Sequence, residues 1–534
     1  VDELARKIER EVVDKQHLSL SAWRFPASAI VWAILRQLGQ FLRDMQKPQH
    51  QQVSDMAFQQ MWHAMRRGAA QAVRWAVDHG ANERDWLPEN AVVLDDAIPL
   101  LIWASNYGRL AACFIAYTRN LLSVTGDEAA KRLRFSHRTE VTAVQFAMAV
   151  ADNDALLSDP AHIPPVPLVR GLIGSDPDRE WLATGQWPHD RTLLNGHPAF
   201  NGSTEWANRS LLPELPGTTS LGKFNLDDLR RLWGALWLVS AAHVLTEERE
   251  DLRTRHENAL PSAVLFLPCA DWVSRLSLAS SVSEARVAAA LELLVFDPST
   301  LHSSVISHPF VRAGKDSLLL CPRLVYHADV RSLVGWLLNA RKDLRDTYAP
   351  ICEAIQSHWT QRLATAFRVA GWQCVADRRF SADGTQIKPD LVCLDHSGHL
   401  LVADLKNATI PVEPRQVTDR LRSFDDDRLQ VLAYGRFFRD HPEVLRDALG
   451  IDTLEQITCV VIHRWPMPIP IPESIGERVG NVPSLLRLLS VAQTVEQLLP
   501  PTVAAANAIK DHVSIEAGEW SIDIPVVRLV DAPA

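Results

Sequence analysis

The sequence predicts an α+β multidomain chain: a large, mostly helical N-terminal region, then a C-terminal α/β domain built on a mixed sheet. Three observations lead there. Apolar residues recur at helical spacing through most of the first three hundred positions, with few strand signals among them. Beyond about residue 303, short apolar runs bounded by turn residues alternate with helical segments. The chain has 534 residues and is 47% hydrophobic, enough for two or three domains with cores of their own.

The first thirteen residues, VDELARKIEREVV, read as a charged amphipathic helix and not as a signal peptide. Helical patterns follow over Ala29 to Met45, Gln51 to His79, Ala97 to Val124 and Glu140 to Leu157, so residues 1–158 are expected to form a helical domain. The most hydrophobic of these, Ala97 to Val124, carries Pro99, Asn106, Arg109 and Arg119, and is expected to be one or two buried helices and not a membrane span. Residues 159–223 are rich in Pro, Gly, Ser and Asn and read as an irregular connector. Leu226 to His256 and Ser283 to Val295 restore the helical pattern, giving a second helical domain over 224–302.

The C-terminal domain is expected to span 303–534. Ser304 to Val325 fits strand, turn at Gly314-Lys315, strand. Arg331 to Asp346 reads as a helix, and Pro350 to Ala370 as another, with Ile351, Ile355, Trp359, Ala366, Phe367 and Ala370 on its apolar side and Gly371 as its stop. A short strand, Trp372 to Val375, and a turn at Asp383-Gly384 lead to the segment KPDLVCLDHSGHLLVADLK, residues 388–406. Its apolar runs flank Ser397-Gly398, a turn signal, so it reads as a β-hairpin. Further on, Asp427 to Asp440 reads as a helix, Ile457 to His463 as a buried strand suited to the centre of a parallel sheet, Val482 to Leu499 as a helix, and Trp520 to Val530 as an alternating strand. No internal repeat is evident.

The hairpin carries the chemistry. Alternation along a strand puts Asp404 and Lys406 on one face. A turn centred on 396–398 sets Asp390 opposite residue 403 or 404, and directly opposed residues have Cβ atoms about 4.5–5.5 Å apart. Two carboxylates that close repel unless a positive charge lies between them. A divalent cation with oxygen ligands suits the position, and Mg²⁺ commonly takes one or two carboxylates together with substrate phosphate. The plain alternative for Asp404 and Lys406 is a surface ion pair of little energetic weight.

Pro389-Asp390 and Asp404-Leu405-Lys406 on such a hairpin resemble the motif of the PD-(D/E)XK nuclease superfamily, the restriction-endonuclease-like and RecB-like nucleases. The preceding helix and strand follow the order of that superfamily's core. Gln430 and Tyr434 resemble the QxxxY motif of its RecB-like members. The resemblance implies a metal-dependent nuclease hydrolysing phosphodiester bonds in DNA, with Mg²⁺ (or Mn²⁺) held by Asp390 and Asp404. It implies that Lys406 orients the attacking water and stabilises charge on the phosphate, and that Gln430 and Tyr434 approach the site and the DNA. A glutamate on the preceding helix serves many members as a third ligand or base. Glu353 is the candidate here, a solvated helix glutamate being the alternative, while His358, Thr360 and Gln361 stand nearer the usual position. The resemblance further implies a role in bacterial defence against phage or other foreign DNA, with a separate ATPase, helicase or other defence subunit as a possible partner and the helical region for recognition or regulation.

The formal net charge of −9 argues against an indiscriminate nucleic-acid coat, so DNA binding must use a local patch. Arg378, Arg379, Lys388, Arg415, Arg420, Arg422 and Arg428 flank the hairpin in sequence, with Arg378 and Lys388 the nearest candidates for substrate binding; Asp377, Asp419 and the run Asp425-Asp426-Asp427 balance them. The 17 tryptophans lie mainly in helical segments and are expected in cores. The seven cysteines form no CxxC and read as buried free thiols of a cytoplasmic protein, with no disulfide framework or zinc site. His396 and His399 flank the hairpin turn and are expected to serve the turn, and His463, at a strand end, to be an ordinary core histidine. Gly196-HPAFN-Gly202 lacks the lysine and strand of a phosphate loop. Two other readings stay open: a catalytically inactive nuclease-fold scaffold or nucleic-acid-binding subunit of a larger complex, and a helical interaction protein in which the hairpin motif is accidental.

Overall fold

A computed structural model describes residues 2–45, 55–80, 91–138, 164–175, 198–248, 264–300, 303–339, 341–410, 414–451, 454–467, 477–499 and 508–529. The expected helix at Glu140 to Leu157 lies outside them. Helix and sheet are mixed, and the chain divides into two compact units.

One unit comprises residues 6–111 and 157–348. Its helices include Ala27–Met45, Asp55–His79, Leu226–Glu248, Cys269–Ser280 and Glu284–Leu294. Trp206, Trp233, Trp237, Trp272 and Trp336 are fully buried there, as expected of most of the tryptophans, although Trp206 and Trp272 lie outside the segments read as helical. Three short antiparallel strands, β3 (Leu265–Pro268), β4 (Phe310–Ala313) and β5 (Ser317–Leu320), form a sheet in the order β3-β5-β4. This moves the expected domain boundary. The strand–turn–strand at 304–325 pairs with residues 265–268 and belongs to this unit, so the C-terminal unit takes up the chain at Ala349 and not at 303. This unit draws on residues of both the 1–158 and the 224–302 segments. Within the expected irregular connector, Val166–Ser175 and Pro198–Ser210 are helices, the second burying Ala199, Trp206 and Ala207.

The other unit comprises residues 1–5, 112–156 and 349–534. Its centre is a five-stranded mixed sheet in the order β12-β11-β10-β9-β6, from β6 (Gln373–Ala376), β9 (Leu391–Leu394), β10 (His399–Lys406), β11 (Gln456–His463) and β12 (Glu477–Asn481). The β9–β10 hairpin is antiparallel, whereas β10 and β11 run parallel, with Lys406 beside His463. The turn needs Gly398, whose φ of +86° disfavours any side chain. Period-two alternation sorts β10 between two cores. Leu401, Ala403 and Leu405 pack with Leu363 and Phe367 of the Arg345–Val369 helix and with Leu485 and Leu498. Leu400 and Val402 pack with Phe424, Val431 and Phe438 of the Pro414–Asp440 helix. Asp404 and Lys406 continue that second face. Fully burying one such apolar side chain contributes about 1.5–3 kcal/mol, so a register slip would invert several of these contributions at once.

Two features differ from expectation. The helix expected over 482–499 is two, Val482–Leu488 and Val495–Leu498, because Thr494 and Gln497 form a capping box that starts a new helix. A second sheet, in the order β1-β2-β14-β13, joins β1 (Leu122–Asp127) and β2 (Arg132–His137) to β13 (Ala508–Ala517) and β14 (Trp520–Leu529). Arg132–Arg134 of β2 lie parallel to Ser521–Asp523 of β14. The Asp95–Thr118 segment is apolar and long enough to cross a membrane by length and composition, and it buries Ala97, Leu100, Leu101 and Phe114 within the protein.

Candidate active site

The hairpin register sets Leu391 against Ala403, and one step further Asp390 faces Asp404. Both carboxylates are nearly buried, at 8% and 3% exposure. Asp390 Oδ2 accepts the Leu405 backbone N–H at 2.6 Å and the Gln356 side-chain amide at 2.9 Å. Asp404 Oδ2 has no aligned hydrogen-bond donor and meets the Lys406 ammonium as an ion pair at 2.6 Å. Burial and the facing Asp404 carboxylate push Asp390 up to about 7, against the pull of the Leu405 N–H and the Gln356 amide.

The Pro414–Asp440 helix supplies the opposite wall. Its residues Asp427, Gln430 and Tyr434, three and four apart, lie along one face. Lys406 Nζ donates to Gln430 Oε1 at 3.0 Å and stands 3.4 Å from Asp427 Oδ1. Gln430 Nε2 donates to the Tyr434 hydroxyl at 2.6 Å. Asp427 Oδ2 binds the Arg420 guanidinium at 2.7 Å, and Arg420 also reaches the Ser423 hydroxyl at 3.0 Å. Burial works against the charge of Lys406, but Asp404 and Asp427 outweigh it and hold the ammonium above its ordinary pKa. Burial, helped by Asp404 and Asp390, raises the Tyr434 phenol. His463 is fully buried near Lys406 and Arg420, and neither ring nitrogen has a hydrogen-bond partner; burial, then those two cations, drive its pKa well below the ordinary value.

Asp390, Asp404, Lys406, Gln430 and Tyr434 thus come together from three separate stretches of sequence. Other candidates do not join them. Glu353 is exposed on its helix, and the residue of that helix that reaches Asp390 is Gln356, three positions on. Lys388 pairs with Asp377 at 3.1 Å. Arg378 is exposed, donates to the Asp447 carbonyl at 3.1 Å and lies over the Phe380 ring. Nothing in the sequence singles out Gln356, and Asp427 reads there only as charge balance. The spacing Asp427-Gln430-Tyr434 was a usable signal for the latter, since it places all three on one helical face.

The donor set suits a hard divalent cation. Asp390 and Asp404 offer carboxylate oxygens in mutual repulsion, and one of those oxygens is buried with only an ammonium as counter-charge. At the other end of the hairpin, Asp395, His399 and Glu496 place ligand atoms within 4.8 Å of one another. There each atom already has a partner. Asp395 Oδ1 accepts from the Ser397 N–H, the Ser397 hydroxyl and the His399 N–H, and its Oδ2 accepts from the Val495 N–H. His399 bridges Glu496 at 2.8 Å and Thr458 at 2.9 Å. This end pins the turn to β11 and to the Val495–Leu498 helix. None of the seven cysteines is joined in a disulfide; four are buried, and Cys113, Cys269 and Cys352 are half-buried.

The chain matches no family model, and neither curated proteins nor solved structures provide a match.

Proposed function

We propose that this protein is a metal-dependent DNA nuclease acting in the cytoplasm, with a restriction-endonuclease-like C-terminal unit. One observation carries the reading: two buried carboxylates oppose each other across a hairpin end, with a lysine two residues from one of them and a glutamine–tyrosine pair against that lysine. A structural ion pair does not require the second carboxylate, which raises the cost of burial. Asp390 and Asp404 would hold Mg²⁺ or Mn²⁺, which when bound supplies Lewis acidity and a more acidic water. Gln356 and the Leu405 N–H orient Asp390. Lys406 presents a charged ammonium to the phosphate, where charge develops in the transition state. Gln430 and Tyr434 fix that ammonium and line the approach. Service in defence against foreign DNA, with a partner ATPase or helicase delivering substrate, is the biological setting we attach to this chemistry.

The test is incubation of the full chain and Asp404→Ala with circular plasmid, linear duplex and single-stranded DNA, in Mg²⁺, Mn²⁺ or EDTA. Metal-dependent cutting that disappears in the variant is the expected result. Cutting that persists in the variant or in EDTA places the chemistry elsewhere.

One observation favours an inactive scaffold instead: an amide, Gln356, and not an acid, reaches Asp390 from the preceding helix. Mn²⁺ calorimetry separates the two, since a scaffold shows no binding that depends on Asp390 and Asp404.

A further inference from the structure

The Lys406 ammonium has three acceptors on two elements: Asp404 Oδ2 at 2.6 Å on its own strand, and Gln430 Oε1 at 3.0 Å and Asp427 Oδ1 at 3.4 Å on the facing helix. The closest of the three belongs to a carboxylate that the proposed function assigns to a divalent cation. One carboxylate oxygen does not hold an ammonium and a divalent cation together, because the two positive charges repel at contact distance. Asp427 is built to receive what Asp404 gives up. Its Oδ2 is fixed by Arg420 at 2.7 Å, and Arg420 is itself mostly buried and tied to Ser423 at 3.0 Å. Its Oδ1 faces Lys406, one helical turn from Gln430. A carboxylate held on one oxygen by a buried guanidinium and turned with the other toward a lysine is a preformed cradle for that lysine.

We infer that Asp427 is a positioning residue that takes the Lys406 ammonium from Asp404 when Asp404 engages its cation. This rests on the reading of Asp390 and Asp404 as the cation pair. In the hand-over the ammonium shifts from strand to helix and stays charged, held between Asp427 and Gln430 beside the phosphate site. Asp427 therefore tunes cation affinity without ligating the cation. When Asp427 is removed, Lys406 has only Gln430 to retreat to and competes harder for Asp404.

The experiment is Mn²⁺ calorimetry on the full chain and on Asp427→Asn, Lys406→Met and the double variant, with thermal melts to confirm folding. Asp427→Asn should weaken Mn²⁺ binding about fivefold or more in the wild-type background and leave it unchanged in the Lys406→Met background, which is the coupling expected of two residues in contact. Asp427→Glu, which keeps the charge, should recover most of the affinity. On plasmid, Asp427→Asn should lower kcat with little change in KM. Equal weakening in both backgrounds would mean that Asp427 acts only as a nearby negative charge and would overturn the hand-over, as would no weakening at all. Mn²⁺ binding by the wild type that ignores Asp390→Asn and Asp404→Asn would instead bring down the cation-pair reading, and the hand-over with it. If Asp427→Asn does not fold, the substitution Ser423→Ala, which loosens Arg420, carries the same cycle against Lys406→Met, with a smaller weakening expected in the wild-type background and none in the Lys406→Met background.

Discussion

The two ends of one hairpin use similar residues to opposite ends. At the turn, Asp395 accepts four hydrogen bonds from backbone and hydroxyl donors, so its charge is fully compensated by neutral groups. Nine residues away in sequence, Asp404 faces a second carboxylate and leans on a single ammonium. The first arrangement lowers the free energy of the fold. The second raises it and leaves a group poised for a ligand. Burial of a carboxylate is thus no indicator of role; the identity of its partners is.

The largest expected effect breaks the second end. Asp404→Ala should abolish cutting, assayed on plasmid in Mg²⁺, while the metal-free protein melts at the same temperature or higher because the opposed charge is gone. The matching change at the turn, Asp395→Ala, should do the reverse. It strands several donors, including the buried Val495 N–H, and should cost about 3 kcal/mol or more in urea denaturation, with activity per folded molecule retained.

Lys406→Ala comes next, with kcat expected to fall roughly 10²–10³-fold and Mn²⁺ binding by calorimetry not weakened. A large loss of Mn²⁺ affinity would make Lys406 a structural member of the carboxylate pair.

The ends should also differ in the sign of their pH dependence. Asp390 is raised in the folded state to about 7 from an ordinary 3.8. The fold therefore binds the proton more tightly than the unfolded chain, and the associated stability is present at low pH and lost as pH climbs from about 4 through 7, by a few kcal/mol at most. Asp395 behaves oppositely. Burial raises it, but Ser397 and the Val495 and His399 N–H groups outweigh burial and hold it below its ordinary value. Its contribution is present above that ordinary value and fades as pH falls below it. Metal-free denaturation curves between pH 4 and 8 should lose their Asp390 slope in Asp390→Asn; an unchanged slope would assign the proton to another group. The smallest effect belongs to Tyr434→Phe, which removes the hydrogen bond from Gln430 and should cost about 1 kcal/mol, read as a several-fold drop in kcat.

Much of this site was legible because it is encoded locally. Ser397-Gly398 sets the turn, the turn sets the register, and the register brings Asp390 to Asp404 with no reference to the rest of the chain. Gln430 and Tyr434 were legible through helical spacing, and Ile457 to His463 through its apolar run Cys459 to Ile462. What escaped depends on distant partners. The β1 and β2 segments, LSVTGD and RLRFSH, are too polar and too mixed to announce strands, and they become strands by pairing with each other while β14 lies beside β2. The small hairpin of Phe380–Ala382 with Thr385–Ile387 was visible only as its turn at Asp383-Gly384. Gln356 could not be told from its helix neighbours, because its role depends on Asp390, 34 residues on in sequence, reaching its amide while Glu353 stays exposed. Arg378 and Lys388 look like free cations in sequence, and tertiary neighbours engage both.

The parallel pairing of Arg132–Arg134 with Ser521–Asp523 also dictates an order of assembly. During synthesis β2 emerges roughly 390 residues before its neighbour, and the whole of residues 157–348 is made in between. At about 5–20 residues per second, β2 stays paired with β1 alone for tens of seconds before β14 is made. The unit that carries the carboxylate pair closes its second sheet only when β14 is made, so a ribosome that stalls before Trp520 releases a chain in which Arg132–Arg134 lack their parallel partner.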